Sequence, residues 1–147
     1  MREVHILVGI TAIALFTVAG LWGAWCWWRV SPSPWFWRVL RVAQLSIVVQ
    51  AALGGLLLVT GRKASTLHIV YGLLPLAFSF IGEQFRVTSA QTILDQRGLE
   101  SPQAVGELPE AEQRDVVRAI VRRELGVMTL AALIIVVLLA RAASTAT

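Results

Sequence analysis

His5 and His68 are the only histidines in the chain, and each opens an apolar run in the same way. His5 is followed by Gly9 in HILVG, and His68 by Gly72 in HIVYG. An imidazole nitrogen is a ligand for haem iron and for several transition metals. A glycine four residues on lies about one helical turn deeper on the same face and leaves room there for a flat ligand. Taken singly, either histidine reads as an interfacial residue bonded to water or a backbone carbonyl. The repeated spacing, direction and depth point to a pair of axial ligands. A structural zinc site fits less well, because two imidazoles are too few and only Glu3 stands near them.

The elements that must position this pair are membrane helices. The 147-residue chain is 56% hydrophobic and 15% charged. Nearly charge-free runs of about 18 residues or more recur, as in transmembrane helices. They predict four spans, over residues 4–25, 36–59, 67–85 and 125–140, in one membrane domain covering 1–147. The first run ends in bulky tryptophans rather than a small-residue cleavage site, so it is read as a span and not a signal peptide. Two prolines break the linker 29–34. The short turn 61–65 makes the second and third spans antiparallel neighbours, and Pro75 is expected to kink the third. The polar insert 86–124 reads as two helical extensions, the first stopped by Gly98 and the second running from Pro109 into the fourth span. Val116, Val117, Ile120, Val121 and Leu125 form a stripe on that second extension, expected to pack on the first. The predicted fold is all-α: an integral-membrane four-helix up-down bundle with a cytoplasmic helical hairpin between the third and fourth spans.

Orientation follows from the cations. Arg29, Arg38, Arg41, Arg86, Arg97, Arg114, Arg118, Arg122 and Arg123 fall on the insert side, against Arg2, Arg62, Lys63 and Arg141 on the other. The positive-inside rule then places 86–124 in the cytoplasm and both termini outside a cell membrane. The basic residues are spread along membrane edges, so they are read as topology and contact with lipid headgroups, not nucleic-acid binding. All six tryptophans lie between Trp22 and Trp37 and form an interfacial belt. Arg38 and Arg41 are expected to snorkel to headgroups. The single cysteine, Cys26, is expected to be an apolar filler.

In an up-down bundle the first and third helices are diagonal and parallel, which sets both histidines at one depth facing one core. Gly9, Gly54, Gly55 and Gly72 would form a layer of open space beneath them, unless they serve only close helix packing. Gln44, Ser46 and Gln50 should face the interior, since lipid cannot satisfy them. Arg62 and Lys63 could pair with the propionates of a haem. No phosphate loop, nucleophile elbow or zinc-protease motif occurs, so independent catalysis is not expected.

Gln50, Gly54, Gly55, Thr60 and the span-opening His68 together resemble one four-helix half of the heme A synthase family. The resemblance implies haem b held by His5 and His68, within a cofactor set that also involves Gly9, Gly54, Gly55, Gly72, Gln50, Arg62 and Lys63. The chain has one such half and no cysteine pair, so the resemblance carries haem ligation and not the family's oxidation chemistry. It implies a small b-type cytochrome-like protein that passes electrons or serves haem and oxidase assembly. Its partners would be the lipid bilayer and a respiratory or haem-handling membrane complex. The alternative is a non-catalytic four-helix subunit or scaffold that docks on a larger complex through its insert.

Overall fold

A computed structural model describes residues 1–146, which are helical almost throughout. The order is α1 (Arg2–Arg29), α2 (Pro34–Val59), α3 (Thr66–Val87), α4 (Ser89–Gln96), α5 (Pro102–Gly106) and α6 (Glu110–Ser144). Four of these, α1, α2, α3 and α6, are long and apolar enough to cross a membrane. The fold is therefore an all-α membrane helical bundle.

Local chemistry fixes where each helix stops. Gly61 and Gly98 have φ of 86° and 66°, a left-handed conformation that glycine adopts without steric cost. Each closes a helix with a paired cap. Arg62 N–H donates to Leu57 O and Gly61 N–H to Leu58 O, while Leu99 N–H donates to Leu94 O and Gly98 N–H to Asp95 O. The end of α1 uses the same cap with Val30 at φ 49°, an uncommon place for a β-branched side chain. Pro34 then occupies the first turn of α2, where its missing N–H costs nothing. At α3, Ser65 Oγ accepts the His68 N–H at 3.2 Å. The helix continues through the buried Pro75.

Within a bilayer, lipid tails are as apolar as leucine, so helices associate through close packing and internal polar bonds. Here the apolar core is off-centre. Ala12, Phe16 and Ala19 of α1, Phe36, Leu40, Ala43 and Ile47 of α2, and Leu125, Met128, Ala132 and Ile135 of α6 are all buried. By contrast, α3 fully buries only Pro75 and Gly82. Consequently α1 packs along α2 and α6, α3 packs along α6, and α2 touches α3 much less. Helices α1 and α3 are diagonal, as an up-down bundle requires.

The α1–α6 contact depends on glycine. A Cβ on Gly23 would lie 2.5 Å from Thr129 Oγ1 and 2.7 Å from the Phe36 ring; one on Gly126 would lie 2.8 Å from the Trp27 ring. Gly23→Ala is therefore expected to destabilise the bundle by about 1–3 kcal/mol through overpacking. Thermal unfolding in detergent checks this, and an unchanged midpoint would show that the helices separate at little cost.

The insert folds back on the bundle's own helix. Helix α4 follows α3 after a break at Thr88 and lies on the first half of α6, with Leu94 and Val116 buried between them. Because α6 is continuous from Glu110, its first half forms the second arm of the hairpin and its second half the fourth span. Of the expected stripe, Val116 and Leu125 are buried, Ile120 and Val121 are half-buried, and only Val117 is exposed. Cys26 is buried in the core.

Candidate functional site

The sequence brings the histidines together from opposite corners of the bundle. Their ring centroids are 6.1 Å apart, with the planes at 65°. A metal–imidazole bond is about 2 Å and the ring centre lies about 1 Å behind the nitrogen, so two imidazoles on one metal have centres roughly 6 Å apart. The observed separation fits that arrangement. The planes may lie at any angle about a shared axis, so 65° does not conflict with it.

His68 is fixed by the end of α6. Its Nδ1 lies 2.9 Å from Ala142 O, a carbonyl in the last turn that also accepts the Thr145 N–H at 3.2 Å and the Thr145 hydroxyl at 3.0 Å. The bond requires Nδ1 to carry the proton, which leaves Nε2 with its lone pair. A metal-binding histidine is commonly oriented in this way, by donation from its other nitrogen to a backbone carbonyl. Ser65 reinforces the junction, donating from Oγ to Thr145 O at 2.7 Å while accepting the His68 N–H. Nearby, the Arg141 guanidinium lies 5.8 Å from the centre of the Tyr71 ring.

His5 is held less fully. Gln50 Nε2 lies 3.3 Å from His5 Nε2, while His5 Nδ1 and Gln50 Oε1 are buried without a hydrogen-bond partner. With the amide nitrogen toward the ring, Nε2 accepts and the Nδ1 proton is left without an acceptor. Rotating the amide by a half-turn lets Oε1 accept from Nε2–H and leaves a lone pair on Nδ1. That second state gives His5 a nitrogen able to bind a metal and moves the unpartnered donor from the ring to the Gln50 NH2.

The four glycines do not form one open layer. A Cβ on Gly9 would meet Gln50 Nε2 at 2.8 Å, and one on Gly54 would meet His5 Cε1 at 3.2 Å. These two glycines make room for the polar side chains of the site itself. A Cβ on Gly55 or Gly72 would meet nothing within 4 Å. Gly55 lies on the exposed surface and Gly72 is half-buried on α3. Arg62 and Lys63 are exposed on the turn at the same end.

At the insert end, polar residues join α2 to α3. Arg41 Nη1 and Nη2 donate to the two Glu83 oxygens at 2.5 and 3.2 Å. Gln44 Nε2 donates to Glu83 Oε1 at 2.9 Å and lies 3.1 Å from Ser79 Oγ. Arg86 Nε donates to Glu83 Oε2 at 2.9 Å. These bonds tie α2 to α3 at the insert end.

Glu83 is absent from the sequence-based candidates, and Arg41 is corrected: it bonds Glu83 instead of only reaching for headgroups. An acid one turn inside the end of an apolar span, with Arg86 three residues on, was the available signal. Ser46 is half-buried and its hydroxyl donates to Ala43 O within its own helix. Among the described residues, no group of three or more His, Cys, Asp or Glu side chains is placed to hold a metal ion. A two-imidazole site is the arrangement for a haem, whose porphyrin supplies the other ligands. No protein-family model, curated protein or solved structure matches the chain.

Proposed function

We propose that the chain is a small membrane b-type haem protein with His5 and His68 as the axial ligands. The observation that carries this reading is the 6.1 Å meeting of two imidazoles from diagonal helices. The Ala142 carbonyl holds His68 in the tautomer that leaves Nε2 free, and Gln50 can set the tautomer of His5. Gly72, one turn below His68 on α3, leaves open space beside its backbone, while Arg62 and Lys63 stand at the same end for the carboxylates of a haem. When bound, haem supplies one-electron chemistry between its ferric and ferrous states. The protein's part is to ligate it, hold the imidazoles in place and keep water from them. The chain's role is electron transfer, or haem and oxidase assembly within a respiratory or haem-handling membrane complex. The arginine distribution supports a topology with the insert in the cytoplasm and the histidine end at the outer face of a cell membrane.

A second reading has its own support. The bonds from His68 to Ala142 O and from Ser65 to Thr145 O also tie α3 to the end of α6, as a purely structural subunit would need. Titration of the purified protein with haem separates the two. A haem protein saturates at one haem per chain; a structural subunit shows only weak, unsaturable partitioning of haem into its detergent.

A further inference from the structure

The insert end of the bundle carries all six tryptophans. Trp22, Trp25, Trp28 and Trp35 are exposed there. Two of these indoles carry a guanidinium: Arg29 Cζ lies 5.4 Å from the centre of the Trp25 ring, and Arg38 Cζ lies 4.8 Å from that of Trp35. Stacking uses the face of a guanidinium and leaves its N–H edge, the fork that matches phosphate oxygens, available. A third pair differs. Arg86 lies 5.6 Å from the Trp37 ring, but its edge is engaged by Glu83.

The charge around Arg29 and Arg38 is uncompensated. No Asp or Glu occurs in the sequence between Glu3 and Glu83. Among the described residues the ion pairs are Arg41–Glu83, Arg86–Glu83 and Arg114–Glu110. Arg29 and Arg38 belong to none of them. Glu110, which shares a groove with Val30 and Pro32, is taken by Arg114. Beside the two arginines the helix surface is apolar, with Leu21, Val42 and Leu45 exposed.

We propose that Arg29–Trp25 and Arg38–Trp35 are two sites for the phosphate of an anionic phospholipid. The guanidinium edges donate to the phosphoryl oxygens, and the indoles hold the guanidiniums at the headgroup level. The acyl chains cover the adjoining apolar surface. That apolar surface is the reason the occupant is a lipid: free phosphate gains nothing from it. This inference does not depend on haem binding.

The tryptophans provide the test, because their emission comes only from this end. The protein is reconstituted in phosphatidylcholine bilayers, and quenching is compared between phosphatidylglycerol and phosphatidylcholine with brominated chains. The anionic lipid is expected to associate about fivefold more strongly. In the double variant Arg29→Gln, Arg38→Gln the ratio falls to near one. In Arg29→Lys, Arg38→Lys it falls only part of the way, because charge is kept and the fork is lost. In Arg114→Gln, Arg118→Gln, which removes the same charge from the insert, it stays at the wild-type value. Equal quenching by the two lipids in the wild type, or a ratio that survives the Arg29 and Arg38 changes, would overturn the proposal. So would an equal fall in the Arg114 and Arg118 variant, which would reveal bulk charge alone. Loss of the preference in millimolar inorganic phosphate would make the ligand free phosphate and not a lipid.

Discussion

Replacing His68 with glycine is expected to abolish the low-spin spectrum of haem-supplied protein, and replacing His5 with glycine to do the same. On the proposed ligation, each change would remove one of the two histidines that would hold the iron and would leave it high-spin or unligated. The two variants differ in their structural cost. His68→Gly also loses the bond to the Ala142 carbonyl, worth about 1 kcal/mol. His5→Gly loses only a 3.3 Å contact to Gln50. A structural role alone would cost stability in both variants, since Ala142 O keeps its bond from the Thr145 N–H while Gln50 loses its one partner, with no spectral consequence from either. The diagnostic readout is rescue: imidazole added to either variant is expected to occupy the vacated space and restore the low-spin spectrum. Failure of rescue in folded protein, judged by retained helicity, would remove that histidine from the ligand set.

The second large effect is expected at the insert end of the bundle. Glu83→Ala leaves Arg41, Gln44 and Arg86 without the carboxylate that joins them. Breaking a buried ion pair by removing one partner costs about 3–5 kcal/mol. The Glu83 side chain is 22% exposed, so the expected loss is smaller, about 2–3 kcal/mol. It falls on the helix pair with the least apolar contact, so α3 has little else to hold it to α2. Glu83→Gln retains hydrogen bonding and is expected to lose less. Arg41→Gln is expected to lose under about 1 kcal/mol, because that side chain is 47% exposed. Thermal unfolding in a mild detergent orders the three. An order in which Arg41→Gln is the most harmful would show that Glu83 is not the centre of the cluster.

The sequence made the helices legible because hydropathy and helix-end chemistry act locally. The stop at Gly98, the break at 29–34 and the run of the second extension into the fourth span each follow from residues within a turn or two. The approach of His5 to His68 could be anticipated only through the symmetry of the two HxxxG starts, since bundle topology then sets their diagonal. The fate of the glycines was not legible in that way. Whether Gly9 and Gly54 leave a void depends on where Gln50 and His5 lie, and both side chains fill it. The off-centre core was hidden for a similar reason. The α3 span is the least apolar of the four, but only packing reveals that it buries glycine and proline where α1, α2 and α6 bury Phe, Leu and Ile. Glu83 was missed because its meaning lies on α2, in Arg41 and Gln44.

The two ends of the bundle have complementary physical roles. Polar bonds among Arg41, Gln44, Ser79 and Glu83 fix the insert end, while His5 and His68 meet at the other end of the bundle. The most direct measurement is the reduced-minus-oxidised absorption spectrum of the wild-type protein, purified from membranes after growth with ample haem. A narrow low-spin b-type signal at one haem per chain is the result expected for ligation by His5 and His68. A folded, colourless protein that stays colourless after loading with haem would contradict it.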